Sequence, residues 1–95
     1  MSFRGTVYRL GTNQTAAYTS AAAAISNAFG AGTNVVRVMS TTRAHLKIGN
    51  SPVATTSDPP IEAYEEYFYG VTTGMKASAI RVATNGVLFV TEVSA

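Results

Sequence analysis

The chain has 95 residues, seven Lys and Arg against five Asp and Glu, and a formal net charge of +2, and only 13% of its residues are charged, about half the usual globular share. A length of this order holds one hydrophobic core and no second one, and the absence of cysteine excludes disulfide scaffolds, thiolate zinc sites and cysteine nucleophiles. Ala, Ser, Thr and Gly make up 44 of the 95 residues, so each strand brings little bulk to a core and neighbouring backbones or subunits can approach closely.

The opening MSFRGTVYRLG lacks the apolar run of a signal peptide, and no stretch approaches 18 apolar residues. The expectation is a soluble, non-secreted domain. Residues 3–10 suit a strand. Residues 19–26 (TSAAAAIS) read as a strand of small residues, with a helix competing. Tyr18, Ala22, Ile25 and Phe29 fall at helical spacing and alanine is the best helix former, but Thr and Ser crowd the segment and Gly30-Ala31-Gly32 ends it.

Residues 34–40 (NVVRVMS) form the next strand, with Val36 and Val38 on one face and Val35, Arg37 and Met39 on the other. Residues 43–48 (RAHLKI) alternate strictly, so Ala44, Leu46 and Ile48 face inward. Thr41-Thr42 between them predicts a hairpin. Gly49-Asn50-Ser51-Pro52 is a turn, and Pro59-Pro60, lacking backbone donors, predicts a crossing loop or an edge segment. Residues 61–69 (IEAYEEYFY) read as an aromatic-rich strand ending at Gly70. Residues 76–84 and 87–93 flank Asn85-Gly86, the strongest short hairpin signal because both residues tolerate positive φ. Ile80 and Val82 are expected in the core against Leu88 and Val90, with Arg81 on the other face. Seven or eight short strands separated by turns predict an all-β chain, an antiparallel β-sandwich or jelly roll forming a single domain over 1–95, with 1–31 as an N-terminal arm.

Chemistry-bearing residues are sparse. His45, the only histidine, sits between Arg43 and Lys47 on the outer face of its strand, without the second imidazole of a usual zinc site and without a serine elbow to serve as nucleophile. Asp58, Glu62, Glu65 and Glu66 gather around the aromatic strand. Glu65 and Glu66, being adjacent, are expected on opposite faces, and no spaced calcium loop is present, so an acidic edge that blocks strand addition fits better than acid–base work. Tyr64, Tyr67, Phe68 and Tyr69 form an aromatic cluster suited to core and interface packing. The scattered Lys and Arg offer no stripe for phosphates, and no glycine lies in a phosphate-cradling motif. The residues therefore predict no catalytic, metal or cofactor site, and no nucleic-acid or membrane partner.

The runs Val36-Arg37-Val38-Met39-Ser40-Thr41-Thr42, His45-Leu46-Lys47-Ile48-Gly49 and Ser51-Pro52-Val53-Ala54-Thr55 resemble small virion-associated proteins of tailed bacteriophages. Glu66-Tyr67-Phe68 followed by Gly70-Val71-Thr72, Gly74, Lys76 and Ala79-Ile80, and the closing 86–92 run, fit the same pattern. The likeness covers 35–92, about two-thirds of the chain. It implies a small β-sandwich or jelly roll that forms dimers or trimers and sits on the capsid surface as a decoration (cement) protein bound to the major capsid protein, made in the host cytoplasm. A minor tail, neck or host-recognition module binding glycans through the tyrosines is the alternative. A hydrolase built on His45 and a carboxylate is a third reading. Phe3, Tyr8 and Tyr18 from the N-terminal segment and Tyr64, Tyr67 and Tyr69 from the aromatic cluster are the expected interface residues.

Overall fold

The computed structural model describes residues 9–94, so the expectations for Phe3, Tyr8 and most of the 3–10 strand lie outside the described residues. Eight strands follow in order: β1 (Arg9–Tyr18), β2 (Ala23–Ala24), β3 (Val35–Ser40), β4 (Ala44–Gly49), β5 (Pro60–Ile61), β6 (Tyr67–Gly70), β7 (Lys76–Arg81) and β8 (Gly86–Ser94). They form two four-stranded sheets, β1-β8-β3-β6 and β2-β7-β4-β5, in which every paired neighbour is antiparallel. No helix occurs among the described residues. The described residues form an all-β sandwich of eight strands, as the alternating pattern predicts.

Alternation sets the faces. Along β3, Val36, Val38 and Ser40 are buried while Val35, Arg37 and Met39 are half-buried on the other side. On β4, Ala44 and Leu46 are buried and Lys47 is exposed. The bulk between the sheets comes from Tyr18, Ile25, Phe29, Ile61 and Leu88, packed against fully buried Ala44, Ala77 and Ala79.

Partner choice departs from the sequence reading. Neither expected hairpin exists: β3 and β4 lie in different sheets, as do β7 and β8. Thr41-Thr42 carries the chain across the sandwich, fixed by the Thr41 N–H donating to Val87 O (3.0 Å) and the Ser40 hydroxyl donating to Thr42 O (2.7 Å). Gly86 has no positive φ; among the described glycines only Gly32 (φ 83°) and Gly74 (φ 95°) do. Its requirement is close approach, because a Cβ there would stand 2.4–2.8 Å from the hydroxyls of Thr42, Tyr18 and Thr41.

The inward face of β7 is also reversed. Ala77 and Ala79 pair with Ile48 and Leu46 and so share their inner face, whereas Ile80 pairs with His45 on the outer face and Val82 is 39% exposed. Within 19–26 only Ala23–Ala24 is strand; the helix alternative is not realised. The neighbouring chain still covers β7 through Arg81 N–H to Thr19 O, Ile25 N–H to Ala77 O and Phe29 N–H to Met75 O. Residues 9–31 are no free arm: β1 pairs with β8 along its length and β2 closes one edge of the other sheet. The 61–69 strand splits, ending at Ile61 in one sheet and resuming at Tyr67 in the other. Pro60 does lie in an edge strand, where a missing N–H costs no ladder bond.

Candidate functional site

Opposite the side edged by β1 and β2, the sandwich ends in two short edge strands, β5 and β6. Tyr67 and Tyr69 pair with Val38 and Val36, whose side chains are buried between the sheets. Directly opposed residues share a face, so both tyrosines point into the rim between the sheets, half-buried against the core. Their rings stack, with centroids 6.4 Å apart and planes at 14°. Tyr69, Leu46, Ile48 and Pro59 line an apolar cavity of about 200 Å³ opening at this rim. Burial there, and secondarily the neighbouring Tyr67 phenol, raise the Tyr69 pKa above its ordinary value. The Tyr67 hydroxyl accepts the Glu62 N–H at 3.0 Å and donates to Glu65 at 3.1 Å.

The 62–66 crossing carries Tyr64, 69% exposed and at φ 58°. That left-handed conformation costs a non-glycine residue about 1–2 kcal/mol, so the surroundings must impose it. They do so from both sides. Arg37 on β3 donates to Glu66 at 2.9 Å, and Arg43 just before β4 donates to Glu62 at 2.9 Å. The Tyr64 N–H donates to Ser40 O at 2.7 Å, beside a parallel bridge between Ser40 and Ala63. Because this segment is a loop, Glu65 and Glu66 are not on opposite faces of a strand as expected; they are engaged by Tyr67 and Arg37 respectively.

Among the remaining expected residues, Tyr18 is 1% exposed, with its hydroxyl donating to Thr42 O at 2.9 Å and accepting from Thr42 N–H at 3.2 Å. It belongs to the core and presents nothing to a partner. The His45 Nδ1 donates to the main-chain oxygen of Asp58 at 2.7 Å, which assigns its proton to Nδ1 because a carbonyl only accepts. The Asp58 carboxylate accepts from the Thr55 N–H (2.8 Å) instead of meeting the imidazole. Among the described residues no group of three or more His, Cys, Asp or Glu could hold a metal ion, and no helix is long and apolar enough to cross a membrane.

A polar cleft of about 280 Å³, lined by Gly11, Thr12, Gly32, Thr33, Glu92 and Ser94 among others, lies at the far end of the β1–β8 pair. Glu92 accepts there from the Thr33 hydroxyl (2.5 Å) and the Gly30 N–H (3.4 Å). Nothing in the sequence marks this cleft, since it is assembled from three separate segments, 11–12, 31–33 and 92–94, that share no motif. Comparison with protein-family models, curated proteins and solved structures found no match for this chain.

Proposed function

We propose that this protein is a non-enzymatic structural component of a virion, a capsid decoration protein that associates with its own copies and docks on the major capsid protein. Tyr64 is the observation that carries the reading. A large aromatic side chain stands 69% exposed on a strained backbone that two ion pairs and a backbone hydrogen bond hold in place. Backbone strain that the surroundings over-determine clusters at sites of function, and tyrosine is a favoured interface anchor. The small-residue, charge-poor composition and the likeness of 35–92 to phage virion proteins add to it. Interfaces are depleted in charge at their cores, and a lattice of identical sites multiplies weak contacts.

The test is titration of the protein onto purified tailed-phage particles stripped of it, with occupancy read by particle reconstruction. Wild type is expected to fill sites on the outer shell. Tyr64→Ala is expected to bind about 30-fold more weakly, the loss of an anchor worth about 2 kcal/mol. No occupancy of any shell by wild type overturns the proposal. The exposed Tyr64 ring is also the shape of a sugar platform, so wild type on a glycan array separates the alternative of a tail, neck or host-recognition module. Binding that Tyr64→Ala abolishes would move the function there.

A further inference from the structure

Sheet edges are templates for another strand, and proteins blunt them with brevity, proline, charge or a covering segment. Three of the four edges here are blunted. β2 has two residues, and the chain around it saturates β7. β5 has two residues and begins with Pro60. β6 has four and follows directly on the Glu65-Glu66 carboxylates. β1 is different. It runs ten residues, contains no proline, and carries no charged side chain from Leu10 to Tyr18. Among the described residues only β8 pairs with it. Its one irregularity falls between Leu10 and Asn13, leaving Asn13 to Tyr18 in unbroken register. The strand is also held rigid from within, because the Gln14 amide both donates to Asn27 O and accepts from Asn27 N–H at 2.9 Å.

We propose that β1 pairs antiparallel with β1 of a second copy across a two-fold axis near Thr15, joining two four-stranded sheets into one of eight. Charge selects this occupant and this direction. An uncharged strand accepts an uncharged one without desolvating any ion, and antiparallel pairing sends the two Arg9 side chains to opposite ends, whereas parallel pairing sets them side by side. The alternating exposed Asn13, Thr15 and Ala17 then meet their counterparts on one face of the joined sheet. Backbone hydrogen bonds supply the adhesion, as in strand-addition complexes generally. The inference deepens the proposed oligomerisation and rests on it, but not on any shell.

Sedimentation equilibrium of the full chain tests it. Wild type is expected as a concentration-dependent dimer. Thr15→Lys places like charges close to the axis on an exposed position, and is expected to raise the dimer dissociation constant about tenfold with an unchanged circular dichroism spectrum. An equimolar mixture of Thr15→Lys and Thr15→Glu is expected to recover the dimer. A wild-type monomer at all concentrations, a trimer, a dimer indifferent to Thr15→Lys, or a mixture that fails to recover each overturns the pairing. A dimer that passes these tests yet decorates no capsid defeats the proposed function alone.

Discussion

Tyr18 and Tyr64 both meet the 40–42 crossing, Tyr18 through its hydroxyl on Thr42 and Tyr64 through its main-chain N–H on Ser40. The first is 1% exposed and the second 69%. Tyr18 spends its ring on the core and its hydroxyl on a turn, so nothing remains for a partner. Tyr64 is tied down by backbone and by its glutamate neighbours, so its ring stays available at the price of a left-handed φ. The contrast separates a residue that closes the fold from one that the fold presents. It also locates the closed side of the sandwich, where Tyr18, Thr41, Thr42 and Gly86 interlock, against the open rim of β5 and β6.

The strongest blow to the closed side is Gly86→Val. A side chain there must displace hydroxyls of Thr42, Tyr18 and Thr41 that are already hydrogen-bonded. Overpacking plus stranded polar groups is expected to cost about 3 kcal/mol. Lys76→Ala, at a half-buried position whose amine has no hydrogen-bond or ion-pair partner among the described residues, stays within about 0.5 kcal/mol. Urea unfolding midpoints of the two variants measure the difference. Equal midpoints would mean that the β8 entry can open without loss.

That expectation shows what was legible in the chain and what was not. The period of two in 43–48 placed Ala44 and Leu46 inward correctly, because alternation along a strand is a local property. The same signal says nothing about which strand lies alongside. Asn85-Gly86 and Thr41-Thr42 look like hairpin turns, yet each carries the chain to the opposite sheet, since a short connection between strands serves either purpose. On β7 hydrophobicity favours Ile80 over Ala79, but the inner face goes to alanine because bulk from Tyr18, Ile25 and Leu88 already fills the space between sheets. At the rim, the aromatic cluster was visible as composition. The broken strand that exposes Tyr64 was not, because the clamp on it comes from Arg37 and Arg43, which lie 29 and 19 residues from their partners.

Smaller changes sharpen the contrast between the two tyrosines. Tyr18→Phe removes the hydroxyl that serves Thr42 and leaves a part-buried N–H without its acceptor, while the Thr42 carbonyl keeps the Ser40 hydroxyl; the expected loss is about 1.5 kcal/mol by chemical denaturation. Tyr64→Gly is expected to go the other way. Glycine adopts the left-handed conformation without strain, so relief of about 1 kcal/mol offsets its greater freedom when unfolded and stability holds or rises slightly. A drop as large as that of Tyr18→Phe would show that the Tyr64 ring is packing against the domain and is not held out from it.

Tyr69 lies between these extremes, half-buried at the rim, and its effect is the smallest. Its phenol is raised above the ordinary 10.0, first by burial and then by Tyr67. In the unfolded chain the proton leaves at the ordinary value and in the folded one it leaves later, so the folded state binds more protons in that window. The stabilising difference is therefore fully present below about pH 10 and is lost as pH climbs through the folded value. Comparison of wild type with Tyr69→Phe isolates this phenol. Between about pH 9 and about pH 11 the urea midpoint is expected to fall more steeply for wild type. Parallel slopes would mean that water reaches the phenol freely, and that the cavity beside Leu46, Ile48 and Pro59 leaves the rim as wet as the surface around Tyr64.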